Sequence, residues 1–399
     1  MNEQYSFVHD LVTLRMIRAD ADYFLKLIEL LKVTPSAGVL VLGCYPYSCL
    51  FCIEADTFLR DRSAIYTECS NQIEHKTFLR ASRHRTKLLG GNVDPISSLL
   101  QVRANIAQWN QYQFIDSHTG ALSWLKKRLS NDLGLFFGGR HLIGSTFDAF
   151  YNLSLDEEKA EEYRGQGFPG ISKLLVESSV ELGKWTGLIH SVTEIVPSIE
   201  ADIGIHFPKD TTYYERADTV STQYLAKLFG PDISLDVSSV LMMLLTKANF
   251  MRYFFSDPTS PIHEASFKIR YVTLYNIVHC LQELRSYSAN KNLLSNDAIA
   301  RVNAILKSRE LKALVKRGEK FRNVLVHYSL RERSTVIVSA SKLDLDSPLC
   351  GLASFFFPGF SFEELNNMVF TQLSLVADSL EEWFLVTGGR DVRMQNMDS

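Results

Sequence analysis

The chain has 399 residues, 46% of them hydrophobic, and a formal charge of only -3. That length and apolar content give enough core for two or three domains and exclude an extended disordered chain, while the near-zero charge excludes a uniformly basic or acidic protein. The first residues, Met1 to Tyr5, lack a basic stretch leading into an apolar run with a small-residue cleavage site, so a cytoplasmic location is expected.

Helical periodicity opens the chain, with Phe7, Leu11, Leu14 and Ile17 followed by Phe24, Leu27, Leu30 and Leu31. No charge occurs between Val33 and Ile53, yet Pro35, Gly38, Gly43 and Pro46 interrupt the stretch, which favours a buried strand over 38–42 rather than a membrane span. Cys44, Cys49 and Cys52 could be imagined as metal ligands, with Cys69 as a fourth. Their neighbours Tyr45, Tyr47, Leu50 and Phe51 favour reduced thiols packed in a core instead. Helices are expected over 70–88, 95–109, 171–195 and 213–229. Gly165 to Gly170 fits a dinucleotide fingerprint, but the acidic run Asp156 to Glu162 stands where that site needs a buried strand.

The break at Gly230-Pro231-Asp232 predicts a boundary between a mostly helical domain (1–230), with no function assigned, and a C-terminal helical bundle (231–388), before a flexible tail (389–399). The bundle's helices are expected over 235–255, 263–287, 294–328 with a break near Lys307-Ser308, and 362–386. Ser361 and Glu364 form a capping box for the last, whose Val369, Leu373, Val376, Leu380 and Trp383 make one apolar stripe. His279, central in an apolar helix, is expected to be a hydrogen-bonded core residue. A second short strand is expected over 335–338. The fold class is therefore mainly α, with a few short strands.

Near the end of the third bundle helix stands Arg322-Asn323-x-x-x-His327, followed by Tyr328. Roughly 0.02 to 0.03 such combinations are expected by chance in a chain of this composition. From Arg301 to Arg333 ten basic residues face three acidic ones, a local +7 in a chain whose remainder is -10. Such a field suits a phosphate-rich ligand. Cleavage of RNA by its own 2′-hydroxyl needs a proton acceptor that titrates near neutrality, the property of a histidine, and a fixed cation for the charge developing on phosphorus. His327 and Arg322 have those chemistries, and Asn323, four residues before His327, shares its helical face. Lys312, Lys316, Arg317, Lys320 and Tyr328 are the expected RNA contacts. No metal and no cofactor is required. On a regular helix Arg322 and His327 point about 140° apart, so either the helix loosens before Tyr328 or two subunits pool their motifs.

This pattern resembles the R-x4-6-H signature of the HEPN superfamily, over about residues 232–388. The resemblance implies a metal-independent endoribonuclease that forms a homodimer through the motif, acts on RNA without a membrane, and serves in bacterial defence or toxin systems, where an antitoxin or regulatory partner would accompany it. It equally fits HEPN-like modules that bind RNA or protein without cutting. A third reading makes Arg322 a salt-bridged helix residue and His327 a helix C-cap.

Overall fold

The structure is a computed structural model that describes residues 2–31, 37–87, 133–153, 167–197, 214–255, 263–291, 294–332 and 335–389. The described residues are mainly α. The first part comprises helices α1 (Asn2–Leu31), α2 (Ala37–Arg60), α3 (Ala64–Ser70) and α4 (Lys76–Arg83), the last running into a 3-10 turn at His84–Thr86. Strands β1 (Leu133–Gly138) and β2 (His141–Ser145), helices α5 (Thr146–Asn152) and α6 (Gly167–Thr193), strand β3 (Glu215–Thr219) and α7 (Ser221–Leu225) follow. Then come α8 (Leu235–Phe254), α9 (Glu264–Lys291), α10 (Asn296–Ile305), α11 (Arg309–Lys316), α12 (Gly318–His327), the short strands β4 (Arg331–Glu332) and β5 (Thr335–Val336), α13 (Leu352–Phe356) and α14 (Phe362–Val386).

Helices α8, α9, α12 and α14 pack as a bundle. Helix α14 begins at the capping box of Ser361 and Glu364, and its stripe from Val369 to Trp383 is buried. The helical stretch expected over 294–328 breaks, as expected, at Ser308, which caps α11, and a second time before Gly318, so it forms three helices. A Cβ on Gly318 would lie 2.5 Å from the Tyr271 hydroxyl, which donates to the Leu314 carbonyl at 3.1 Å. Glycine thus lets α9 grip the joint between α11 and α12, and Phe321, fully buried 5.0 Å from the Tyr271 ring, holds the next turn.

Residues 38–42 are not a strand: they lie in α2, where Leu40, Cys44, Tyr45, Tyr47, Cys49, Phe51 and Cys52 are buried. A helix covered on several faces reads as a continuous apolar run and loses its period, which is why it mimics a buried strand. It is long and apolar enough to cross a bilayer, yet 67% of its apolar window is buried against the rest of the protein. Burial pushes the Cys44 and Cys52 thiols up to about 12 and the Cys49 thiol well above the usual range, so all three remain protonated core groups. Among the described residues no cluster of His, Cys, Asp or Glu is placed to hold a metal ion. The helix expected over 213–229 is instead β3 and the short α7: β3 pairs antiparallel with β1, Leu133 opposite Thr219, in a sheet of order β2-β1-β3. His279 is 42% exposed, beside Glu283 at 4.0 Å, because α9 turns that side away from the core. Residues 95–109, 165–166 and 390–399 lie outside the described residues.

The turn at Gly230 is present, with φ +122°. One contiguous hydrophobic cluster nevertheless includes side chains from both sides of it. Polar ties also cross it: the His9 ring bonds the Val338 carbonyl at 2.7 Å, Thr13 donates to the Tyr328 carbonyl at 3.1 Å, and Arg15 pairs with Glu264 at 2.9 Å.

Where the sheet meets α5 and α8, Asp148 is buried among hydroxyls, accepting from Ser145 at 2.6 Å and Thr246 at 2.9 Å. Burial outweighs these bonds and pushes its carboxyl up to about 6. A carboxyl raised on folding favours the fold while protonated, so this contribution is complete below about pH 4 and is lost as the pH rises through about 6. The stability of wild type relative to Asp148→Asn is therefore expected to fall between pH 4 and 6.5, by up to roughly 3 kcal/mol. Denaturant unfolding of both proteins across that range checks this, and a pH-independent difference would show that folding leaves the Asp148 carboxyl unshifted.

Candidate functional site

Helix α12 carries Arg322, Asn323 and His327 and ends where Tyr328 takes φ +51°. The helix does not loosen before Tyr328. Its buried side is Phe321, Val324 and Leu325, which leaves His327 at the rim, 43% exposed, at the helix C-terminus. There His327 Nδ1 lies 2.9 Å from Glu54 Oε2 of α2. The other oxygen, Glu54 Oε1, accepts from Arg83 of α4 at 2.6 Å. One carboxylate of 8% side-chain exposure thus fixes an imidazole on one side and a guanidinium on the other.

Arg322 sits deeper, 7% exposed. Its Nη1 donates to the Asn323 amide oxygen at 2.8 Å, and among the described residues its Nε has no hydrogen-bond partner and no carboxylate lies within ion-pair distance. Burial lowers its pKa from the usual value, while Tyr275, Glu54 and Glu319 act in the opposite sense. Arginine remains charged throughout the physiological range. A buried guanidinium without an ion-pair partner costs several kcal/mol on the order-of-magnitude scale of ion desolvation, and an anion drawn to it offsets that cost. The salt-bridged reading of Arg322 is therefore not what the structure contains.

Two further groups share this field. Lys87 is lowered by burial and then by the charges of Arg322 and Arg83, and His84 is lowered by burial and then by Arg83 and Lys87. Three cations, Arg83, Lys87 and Arg322, thus stand around Glu54, with Glu319 also facing Arg322, leaving an excess of positive charge beside a half-exposed histidine. The arrangement can attract an anion, fix an imidazole, and move a proton at the ring nitrogen that Glu54 does not hold.

Of the residues expected from sequence, Arg322, Asn323 and His327 share one helix, and Glu54 links the surroundings of the first to the last. Asn323 turns its amide oxygen to Arg322 rather than to His327. Lys312, Lys316, Arg317 and Lys320 are exposed on α11 and the start of α12. Tyr328 is corrected as an RNA contact: it is 4% exposed, its hydroxyl donates to Asp20 at 2.5 Å, and Asp20 also pairs with Lys268 at 2.8 Å. Its ring is committed to the core. The sequence reading missed Glu54, Arg83 and Lys87. All three had a signal: Glu54 ends the uncharged stretch that begins at Val33, and Arg80, Arg83, His84, Arg85 and Lys87 form a basic run.

No family model matches this chain, and comparisons with curated proteins and with solved structures find no significant match.

Proposed function

We propose that the protein is a metal-independent endoribonuclease of the HEPN type, acting in the cytoplasm. The observation that carries the proposal is the buried Arg322, which has no carboxylate of its own and stands in one charge cluster with a half-exposed histidine fixed by Glu54. Arg322, with Arg83 and Lys87, stabilises the charge that develops on phosphorus. His327 exchanges a proton with a reacting oxygen through the nitrogen that faces solvent. The 2′-oxygen bonds to phosphorus as the 5′-oxygen leaves with a proton, giving a 2′,3′-cyclic phosphate and a 5′-hydroxyl. The proposal keeps the homodimer that the resemblance implies, and each subunit brings its own Glu54.

The test is cleavage of single-stranded RNA by purified protein with EDTA present, with the ends analysed. Cyclic phosphate termini support the reading. Tight RNA binding with no cleavage selects the non-catalytic HEPN-like module, and neither binding nor cleavage removes both.

The exposed lysines of α11 and α12 give the RNA a path to the site. RNA affinity is expected to fall with salt, with a log–log slope near -0.7 per phosphate neutralised. Replacing Lys312, Lys316 and Lys320 by Gln should flatten that slope by roughly 2. An unchanged slope would place the RNA on another face.

A further inference from the structure

A second cleft, separate from His327, opens where α2, β2, α5 and α8 meet, enclosing about 440 Å³ including its mouth. Most of its lining is apolar, from Leu42, Phe136, Ile143, Phe250 and Met251. Asp148, Asn152 and Lys247 also line it. The Asp148 carboxyl accepts hydroxyl hydrogens from Ser145 and Thr246 and a backbone hydrogen bond from Ser145, which together do not use all of its lone pairs. The Lys247 ammonium donates to the Arg85 carbonyl at 2.9 Å and has two more hydrogens to give. Asn152 donates its Nδ2 to the Leu42 carbonyl at 3.0 Å, which sets the amide, and its buried Oδ1 has no partner.

Asp148 and Lys247 attract one another, since each charge favours ionisation of the other. Yet no ion pair within 4.0 Å joins them, although both are described residues. An anion, an unused acceptor and a cation are thus held apart on the wall of an otherwise apolar cleft. A solute with one positive and one negative end joined by a short spacer completes such a gap, whereas a singly charged solute compensates only one side.

We propose that this cleft binds a small zwitterion with an apolar tail, an aliphatic or aromatic α-amino acid. The ammonium is directed to Asp148 and the Asn152 amide oxygen, the carboxylate to Lys247, and the side chain to Leu42, Ile143 and Phe250.

Calorimetry and thermal-shift measurements on the full chain test the proposal, with L-leucine and L-phenylalanine as probes. Saturable binding of at least one is expected. 3-Methylbutylamine and 4-methylpentanoate, which each keep the apolar tail but only one charge, are expected to bind at least ~10-fold more weakly. Lys247→Met keeps the stem and removes the charge, so a loss of at least ~10-fold in affinity is expected with cooperative unfolding retained. Asp148→Asn provides the same comparison from the other end of the ligand. The proposal is overturned if neither amino acid binds at about 10 mM, a concentration that detects even millimolar affinity. It is also overturned if a singly charged analogue binds as tightly as the amino acid, or if either folded variant retains wild-type affinity.

Discussion

His327→Ala is expected to slow cleavage of single-stranded RNA by ~100-fold or more while leaving RNA affinity nearly unchanged, because it removes a proton-transfer group and no cation. Glu54→Gln should fall between wild type and His327→Ala. It keeps an acceptor for the ring but gives up the charge that binds Arg83 at 2.6 Å. Single-turnover rates separate chemistry from binding. Equal rates for wild type and His327→Ala would remove His327 from the reaction.

Arg322→Met should have the second large effect, and its two parts run in opposite directions. Loss of a fixed cation at the phosphate is expected to lower the cleavage rate by ~100-fold or more. Stability, in contrast, is expected to hold or to rise by up to roughly 2 kcal/mol, because Met fills the volume of a buried guanidinium whose Nε has no partner and which forms no ion pair. Denaturant unfolding alongside kinetics reads both. A stability loss comparable to that of a core truncation, about 2–5 kcal/mol, would make Arg322 a structural residue and sink the functional assignment.

Helices with one buried face were legible in the sequence. Those at α1 and α14 repeat their apolar residues every three or four positions, and α14 adds a capping box that fixes its first turn. Elements whose pattern is set by distant partners were not legible. Helix α2 is covered on several faces and so carries no period, and β3 is extended because β1 offers it a ladder, which its own residues Glu215 to Thr219 do not reveal. The site divides the same way. Arg322, Asn323 and His327 lie within one turn and a half of one helix, so their spacing displays them. Glu54 and Arg83 come from two other helices, and only the packing of α2 and α4 beside α12 brings them to His327.

The bond between Glu54 and His327 spans 273 positions. During synthesis at about 5–20 residues per second, the carboxylate therefore exists for roughly 14–55 s before its imidazole is made. Helix α1 waits longer for the Val338 carbonyl, 329 positions after His9. A ribosome-bound chain lacking its last third has neither the histidine nor the buried guanidinium. The cluster is thereby incomplete until residue 327 has been made.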